Sequence, residues 1–302
     1  MLKKVLLGVG AVLLLVALAL FAFVYVQVSA FDASTAKVYP IAPPAIVASN
    51  DPLLIARGKH LTESIGGCVG CHGADLGGKR GDPMGPLGVA YPPNLTSGKG
   101  GVGSRYTDGQ LARVIRDGIK ADGRSVRFMP AQDLSWWPDT DLVALVSYLR
   151  SLPPIDRASP ASSVGLAGKL LDRLGKLPID IARHIDHVAP RAKALTATAT
   201  RAYGKYLARS CASCHGPGLS GGRIPGAPAK LAVPANITPH ETGIKRYTEA
   251  DFMRLLDTGK KPNGTPLDPF MPIAALRAMN DTERRALFAY LMSLPPTPFG
   301  RR

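Results

Sequence analysis

Two pentapeptides, Cys68-Val69-Gly70-Cys71-His72 and Cys211-Ala212-Ser213-Cys214-His215, use all four cysteines of this 302-residue chain. Cysteines three positions apart, followed at once by histidine, form the attachment signature of a c-type haem. The two thiols reach the two vinyl groups along one porphyrin edge as thioethers, and the histidine beside them meets the iron from one face. Zinc knuckles and redox dithiols also use Cys-x-x-Cys, and one zinc site could be assembled from Cys68, Cys71, Cys211 and Cys214. Neither explains the His-Gly pair that directly follows each second cysteine. The expected cofactors are therefore two covalently bound haem c groups with their iron.

The spacing of other landmarks shows that more than the pentapeptide is repeated. Cys68 and Cys211 are 143 positions apart, while Asn94 and Asn236, Met129 and Met271, and Tyr148 and Tyr290 are each 142 apart. An offset held to one residue over such a length marks two homologous domains, assigned to residues 51–155 and 194–302. Residues 31–50, with Pro40, Pro43 and Pro44, read as a spacer. Residues 156–193 match neither repeat and read as an interdomain linker. Within it, Leu170, Leu171, Leu174 and Leu177 predict a short amphipathic helix that Pro178 breaks.

Helix signals recur in the same order in both domains. Asp51-Pro52 opens a helix leading into Cys68, and Thr107 with Gln110 forms a capping-box pattern ahead of Leu111, Val114 and Ile115. Gly118 is a natural stop. A last helix carrying Leu142, Leu145, Val146 and Leu149 ends at Pro153-Pro154. In the second copy Thr248 caps the helix bearing Phe252, Leu255 and Leu256, and Asn280 with Glu283 starts the last helix. Residues 73–104 are rich in Gly and Pro and predict no regular structure. The fold class is all-α.

Lys3 and Lys4 precede an uncharged apolar run from Val5 to Val26. At about 1.5 Å per residue such a helix is long enough to cross a hydrocarbon core of about 30 Å. Residues 1–30 therefore read as a retained transmembrane anchor. The basic pair places the N-terminus inside a bacterial inner membrane and the haem domains in the periplasm. The competing reading is a cleaved signal peptide with Val28-Ser29-Ala30 as processing site, but apolar signal cores usually span about 7–15 residues. In both readings the body is exported.

The net charge of +15 is uneven, with 15 Lys+Arg against 11 Asp+Glu in residues 1–155 and 22 against 11 in the rest. No nucleic-acid-binding motif and no basic run interleaved with aromatics accompanies it. A positive surface also suits an acidic redox carrier or anionic lipid.

Together with Pro93-Asn94-Leu95-Thr96, Phe128-Met129-Pro130 and the Tyr-Leu-x-Ser-Leu-Pro-Pro endings at Tyr148 and Tyr290, these features make each repeat resemble a class I cytochrome c domain. The chain is similar to membrane-anchored dihaem cytochromes c, including cytochrome subunits of periplasmic alcohol and sugar dehydrogenases and the dihaem subunits of haem-copper oxidases. The second copy departs in having Pro234-Ala235-Asn236-Ile237-Thr238 in place of Pro-Asn-Leu-Thr.

The resemblance implies His72 and His215 as proximal iron ligands, with Met129 and Met271 opposite them, 57 and 56 positions later. A neutral thioether favours Fe(II) and raises the potential. It also implies that the first and last helices of each domain pack together, Gly58 near Tyr148 and Gly204 near Tyr290. Asn94, Thr96, Asn236 and Thr238 would hydrogen-bond the haem propionates or stabilise the loop around them. Arg105 and Arg246 would pair with propionates or stay solvated. His184 and His187 read as ordinary linker histidines.

The implied function is a relay of single electrons on the periplasmic face, from a dehydrogenase or quinol-oxidising complex to a terminal oxidase or soluble carrier, without catalysis of its own. The alternatives are a dihaem enzyme of the peroxidase or thiosulfate dehydrogenase type, or a cytochrome subunit of a haem-copper oxidase. A thiosulfate dehydrogenase calls for a cysteine ligand, and none is left over.

Overall fold

The structure is a computed structural model that describes residues 2–225, 227 and 230–302. Its first element, α1 (Leu2–Ala36), is the one described helix long and apolar enough to cross a membrane. It runs past the expected end at residue 30 because its last turns find a protein surface. Phe31 and Thr35 are buried, and the Asp32 carboxylate meets Lys169 at 2.7 Å.

In the first repeat, α2 (Pro52–Glu63) starts where Asp51 accepts a hydrogen bond from the Leu53 N–H, with Pro52 in the first turn. The short α3 (Cys68–His72) carries the attachment motif. Next come α4 (Asp108–Asp117), with the Thr107–Gln110 capping box and Gly118 in the left-handed conformation, and α5 (Asp139–Ser151). The linker contributes α6 (Leu166–Arg173).

The second repeat follows the same plan. It holds α7 (Arg201–Ala208), α8 (Ala212–His215) with the second motif, α9 (Glu249–Thr258), α10 (Ile273–Ala278) and α11 (Asp281–Leu291). Capping boxes at Thr248–Asp251 and Asn280–Glu283 start α9 and α11.

Each domain is built on a crossing of its first and last helices, α2 on α5 and α7 on α11. Both crossings need glycine. A Cβ on Gly58 would overlap the Ala144 carbonyl oxygen and lie 2.7 Å from Tyr148 Cβ. A Cβ on Gly204 would overlap the Ala286 carbonyl oxygen and lie 2.7 Å from Tyr290 Cβ. The glycine–tyrosine pairing implied by the family resemblance is present in both halves.

Residues 73–104 hold more order than their composition predicts. Strands β1 (Asp82–Pro83) and β2 (Gly88–Ala90) pair antiparallel, and β2 pairs with β3 (Ser163–Val164) from the linker. A Cβ on Gly88 would overlap the Ser163 carbonyl oxygen, so the glycine permits this close pairing. Strands this short leave no periodicity in the sequence, and β3 lies far along the chain from β2. The linker is thus part of the body: α6 packs on α1 and on the turn at Gly85–Leu87. Asp172, fully buried, accepts from the Ile179 and Asp180 backbone N–H groups and from His184.

The two repeats also share a core. One continuous cluster of buried apolar side chains runs from Leu61, Trp136, Trp137 and Leu145 into Tyr203, Tyr206, Leu207 and Leu287.

Candidate haem sites and their surroundings

The first motif lies on the short helix α3, and the second runs from the turn Arg209–Cys211 into α8, so the cysteines of each are a single turn from each other. All four are free thiols. Burial pushes the Cys68 and Cys211 thiols up to about 12 and raises Cys214 as well. A redox dithiol needs the opposite, a thiol pulled down towards neutrality. Among the described residues no group of three His, Cys, Asp or Glu is placed to hold a metal ion, so the four cysteines do not assemble a zinc site.

The histidines are oriented in the same way in both copies. The His72 Nδ1–H donates to the Pro93 carbonyl at 2.9 Å, and the His215 Nδ1–H to the Ala235 carbonyl at 2.7 Å. That bond fixes the tautomer and leaves Nε2 with its lone pair for a metal. Burial lowers both imidazole pKa values, which keeps the rings neutral as an iron ligand must be.

The carbonyl that each histidine meets is held by the asparagine one position further on. Asn94 Oδ1 accepts from the Thr96 backbone N–H and hydroxyl, and its amide donates to the Ile155 and Arg157 carbonyls. Asn236 accepts from Thr238 in the same two ways and donates to the Thr297 carbonyl and the Thr242 hydroxyl. Both asparagines are buried, and their amides are occupied inside the protein. The geometry places Asn94, Thr96, Asn236 and Thr238 as braces of the loop that steers the histidine.

A second repeated detail is backbone strain. Leu76 and Leu219, 143 positions apart and buried, both adopt positive φ, 54° and 58°. Each gives its carbonyl to the residue after the asparagine, Leu95 and Ile237. A leucine in the left-handed region is costly and persists only when its surroundings enforce it.

Met129 and Met271 each precede proline at the start of a short helical turn, Ala131–Asp133 in one copy and α10 in the other. Both are half-buried, and Met129 packs on the core. Arg105 donates to the Gly101 carbonyl, while Arg246 is exposed beside Glu241. His184 pairs with Asp172 and His187 with Asp117 and the Ala182 carbonyl, as structural linker histidines do.

The residues present fit a covalently held haem. The buried Trp137 indole N–H has no partner among the described residues. Its ring edge and Cys68 Sγ both border the space beside Gly66, where a Cβ would lie 3.1 Å from Trp137 Cη2 and 3.5 Å from the sulfur. A buried indole donor without a partner, on a ring whose far edge borders an attachment thiol, suits a macrocycle that carries acidic substituents.

Comparison with known proteins agrees with this geometry. Residues 201–295 match the model of the family described as cytochrome c, and residues 54–149 that of cytochrome c oxidase, cbb3-type, subunit III. Each repeat is thus a cytochrome c domain. It is 25% identical over 276 residues to the cytochrome c subunit of the alcohol dehydrogenase (quinone) of Gluconobacter oxydans, covering 83% of this chain and 57% of that protein. It is 27% identical over 300 residues to a nicotinate dehydrogenase subunit of Pseudomonas putida, covering 87% of this chain and 23% of that one. A third relative, the gluconate 2-dehydrogenase cytochrome c subunit of Pantoea cypripedii, is 36% identical over 96 residues, 30% of this chain and 22% of its own length. This cytochrome therefore spans little more than half of the first relative and less than a quarter of the other two.

Proposed function

We propose that this cytochrome carries two haem c groups and relays single electrons on the periplasmic face of the inner membrane. Its electrons come from a dehydrogenase or quinol-oxidising complex and leave for a terminal oxidase or a soluble carrier. The observation that carries this reading is the duplicated site, in which a neutral histidine is aimed by a backbone carbonyl directly after two free thiols three positions apart. When bound, the haems supply one-electron exchange between Fe(III) and Fe(II). Cys68 and Cys71, and Cys211 and Cys214, would tether the two groups; His72 and His215 would bind their irons, and Met129 and Met271 would complete the ligand sets and exclude water. A filled coordination sphere favours carrying electrons over turning over substrate.

The proposed partners are redox proteins, with a dehydrogenase complex first because the cytochrome resembles subunits named for such enzymes over more than four-fifths of its length. A second reading, a cytochrome subunit of a haem-copper oxidase, is favoured by the match of residues 54–149. Lys3 and Lys4 support an inside N-terminus. Haem staining on a denaturing gel with a pyridine haemochrome assay should give two covalent haems per chain. The oxidised spectrum should show low-spin iron with a methionine-to-iron charge-transfer band. A colourless chain sinks the relay. A high-spin site favours a haem enzyme. Purification from native membranes separates the dehydrogenase and oxidase readings by the catalytic subunit that comes with it.

A further inference from the structure

The surface where the two domains meet repeats itself under a pseudo-two-fold operation. The 142-residue offset places Asp141 of α5 on Glu283 of α11, each the third residue of its domain's last helix. The offset between Gly58 and Gly204, 146, places Arg57 and His60 of α2 on Tyr203 and Tyr206 of α7. The hydrogen bonds across the interface follow this correspondence. His60 Nε2 reaches Glu283 at 2.7 Å, and its counterpart Tyr206 donates its hydroxyl to Asp141. Arg57 lies on the pseudo-axis, bonded to Asp141 through Nε and Nη2 at 3.2 and 3.4 Å and within 3.5 Å of Glu283 and Tyr203. This reciprocal pattern is that of a self-complementary dimer contact joined into one chain.

Its charges are buried and matched. Glu283 is fully buried, and although burial opposes its ionisation, His60 and Arg57 hold its carboxyl below the usual range. Burial raises the Tyr206 and Tyr203 hydroxyls, and both stay protonated as donors.

An aromatic bridge runs beside this cluster. Trp137 borders the Cys68 motif, and its ring lies 6.4 Å from that of Trp136. Trp136 crosses the interface, edge-on to Tyr206 with centroids 4.8 Å apart. The Arg209 guanidinium covers it at 4.4 Å, from the turn Arg209–Cys211 that delivers the first thiol of the second motif. The packing is thus continuous from one attachment motif to the other.

We propose that this interface is the route by which an electron crosses between the two haem sites, with Arg57 and Glu283 as positioning residues that hold the Trp136 bridge closed. The step is one electron: one iron is oxidised from Fe(II) as the other is reduced from Fe(III), with no bond made or broken and no proton required. The inference rests on the two-haem reading and adds to it a fixed internal path.

The test uses the full chain carrying its haems in detergent micelles. A light-triggered reductant delivers less than one electron per chain, and redistribution between the sites is followed by absorbance. Trp136→Leu and Arg57→Met are expected to slow redistribution roughly tenfold or more, on the scale of the rate lost when reacting groups move by about an ångström. Haem content and both midpoint potentials should stay at parental values, which a general loss of folding would not allow. Trp136→Phe should recover most of the rate and Arg57→Lys part of it. If Trp136→Leu does not fold, the two Arg57 variants carry the same comparison. Redistribution at the parental rate in Trp136→Leu, or in Arg57→Met should the first not fold, overturns the route. A parent chain with fewer than two haems instead overturns the relay reading beneath it.

Discussion

The two domains share a frame and differ in what wraps it. Around the first, the linker adds a strand, the helix α6 and the buried Asp172 cluster, and the last turns of α1 dock on that layer. Its asparagine brace closes on Ile155 and Arg157, where the chain enters the linker. Among the described residues the second domain has no such layer. Its brace closes on the C-terminal arm at Thr297, and Arg302 reaches back to the Cys214 and Gly222 carbonyls. His215 is buried where His72 is only half-buried. The same attachment motif therefore sits in two different surroundings, which is how one duplicated site can yield two potentials.

The largest effects should come from the shared frame. Gly58→Val or Gly204→Val forces a side chain into the carbonyl of the crossing helix and should cost about 3 kcal/mol or more, since even modest overpacking costs about 1–3. Thermal denaturation should show the larger fall for Gly204→Val, because no linker layer shores up the second domain. Loss of equal size in both would mean that the layer contributes nothing to the first domain's stability.

Replacing each proposed methionine ligand tests whether the two settings are independent. Met129→Leu should lower the midpoint potential of one haem and leave the other nearly unchanged, and Met271→Leu should do the reverse. Redox titration with optical detection reads both. A shift of both haems, or of neither, would remove either the ligand assignment or the independence of the sites.

Removing an asparagine brace leaves buried carbonyl and N–H groups without partners, at about 1–3 kcal/mol. Asn94→Ala and Asn236→Ala should each loosen the loop that aims the histidine and lower the stability of its own haem ligation. Guanidinium titration monitored at the Soret band reads both losses.

Acid should act on the contact between the domains. Glu283 and Asp172 have carboxyls held below their usual range: burial opposes this, and hydrogen bonds from His60 and from His184 respectively outweigh it. Groups depressed in the folded state stabilise above the unfolded carboxylate pKa of about 4 and lose that contribution as pH falls through their folded values. Unfolding temperature should therefore fall steeply below about pH 4. Glu283→Gln, which keeps a side chain able to cap α11 as Gln110 caps α4, should flatten that fall.

The smallest effect belongs to the helix caps. Thr107→Ala and Thr248→Ala should each cost about 1 kcal/mol in chemical denaturation.

The duplicated motif, the anchor and the helix order were legible in the sequence because each rests on local rules: thiol spacing, apolar length and capping chemistry. The family resemblance implied the pairing of Gly58 with Tyr148 and Gly204 with Tyr290, and the close helix crossings, which leave no room for a Cβ, bear it out. The role of Asn94 and Asn236 was only half legible, because whether an amide turns to a cofactor or to its own loop depends on carbonyls 61 positions away, those of Ile155 and Thr297. Arg57, His60, Asp141, Tyr203, Tyr206 and Glu283 carry no local signature of an interface, although Asp141 and Glu283 stand at the same offset as the other landmarks.

By itself the sequence determined that this cytochrome carries two haem-attachment motifs on two like domains behind one apolar helix. Covalent chemistry and helix formation need only near neighbours along the chain. Tertiary structure alone decided that the linker belongs to the first domain and that the domains exchange buried charges through a pseudo-two-fold contact. Buried ion pairs and aromatic contacts are set by distance in space; the repeat offset matches Asp141 with Glu283 but does not record which residues meet.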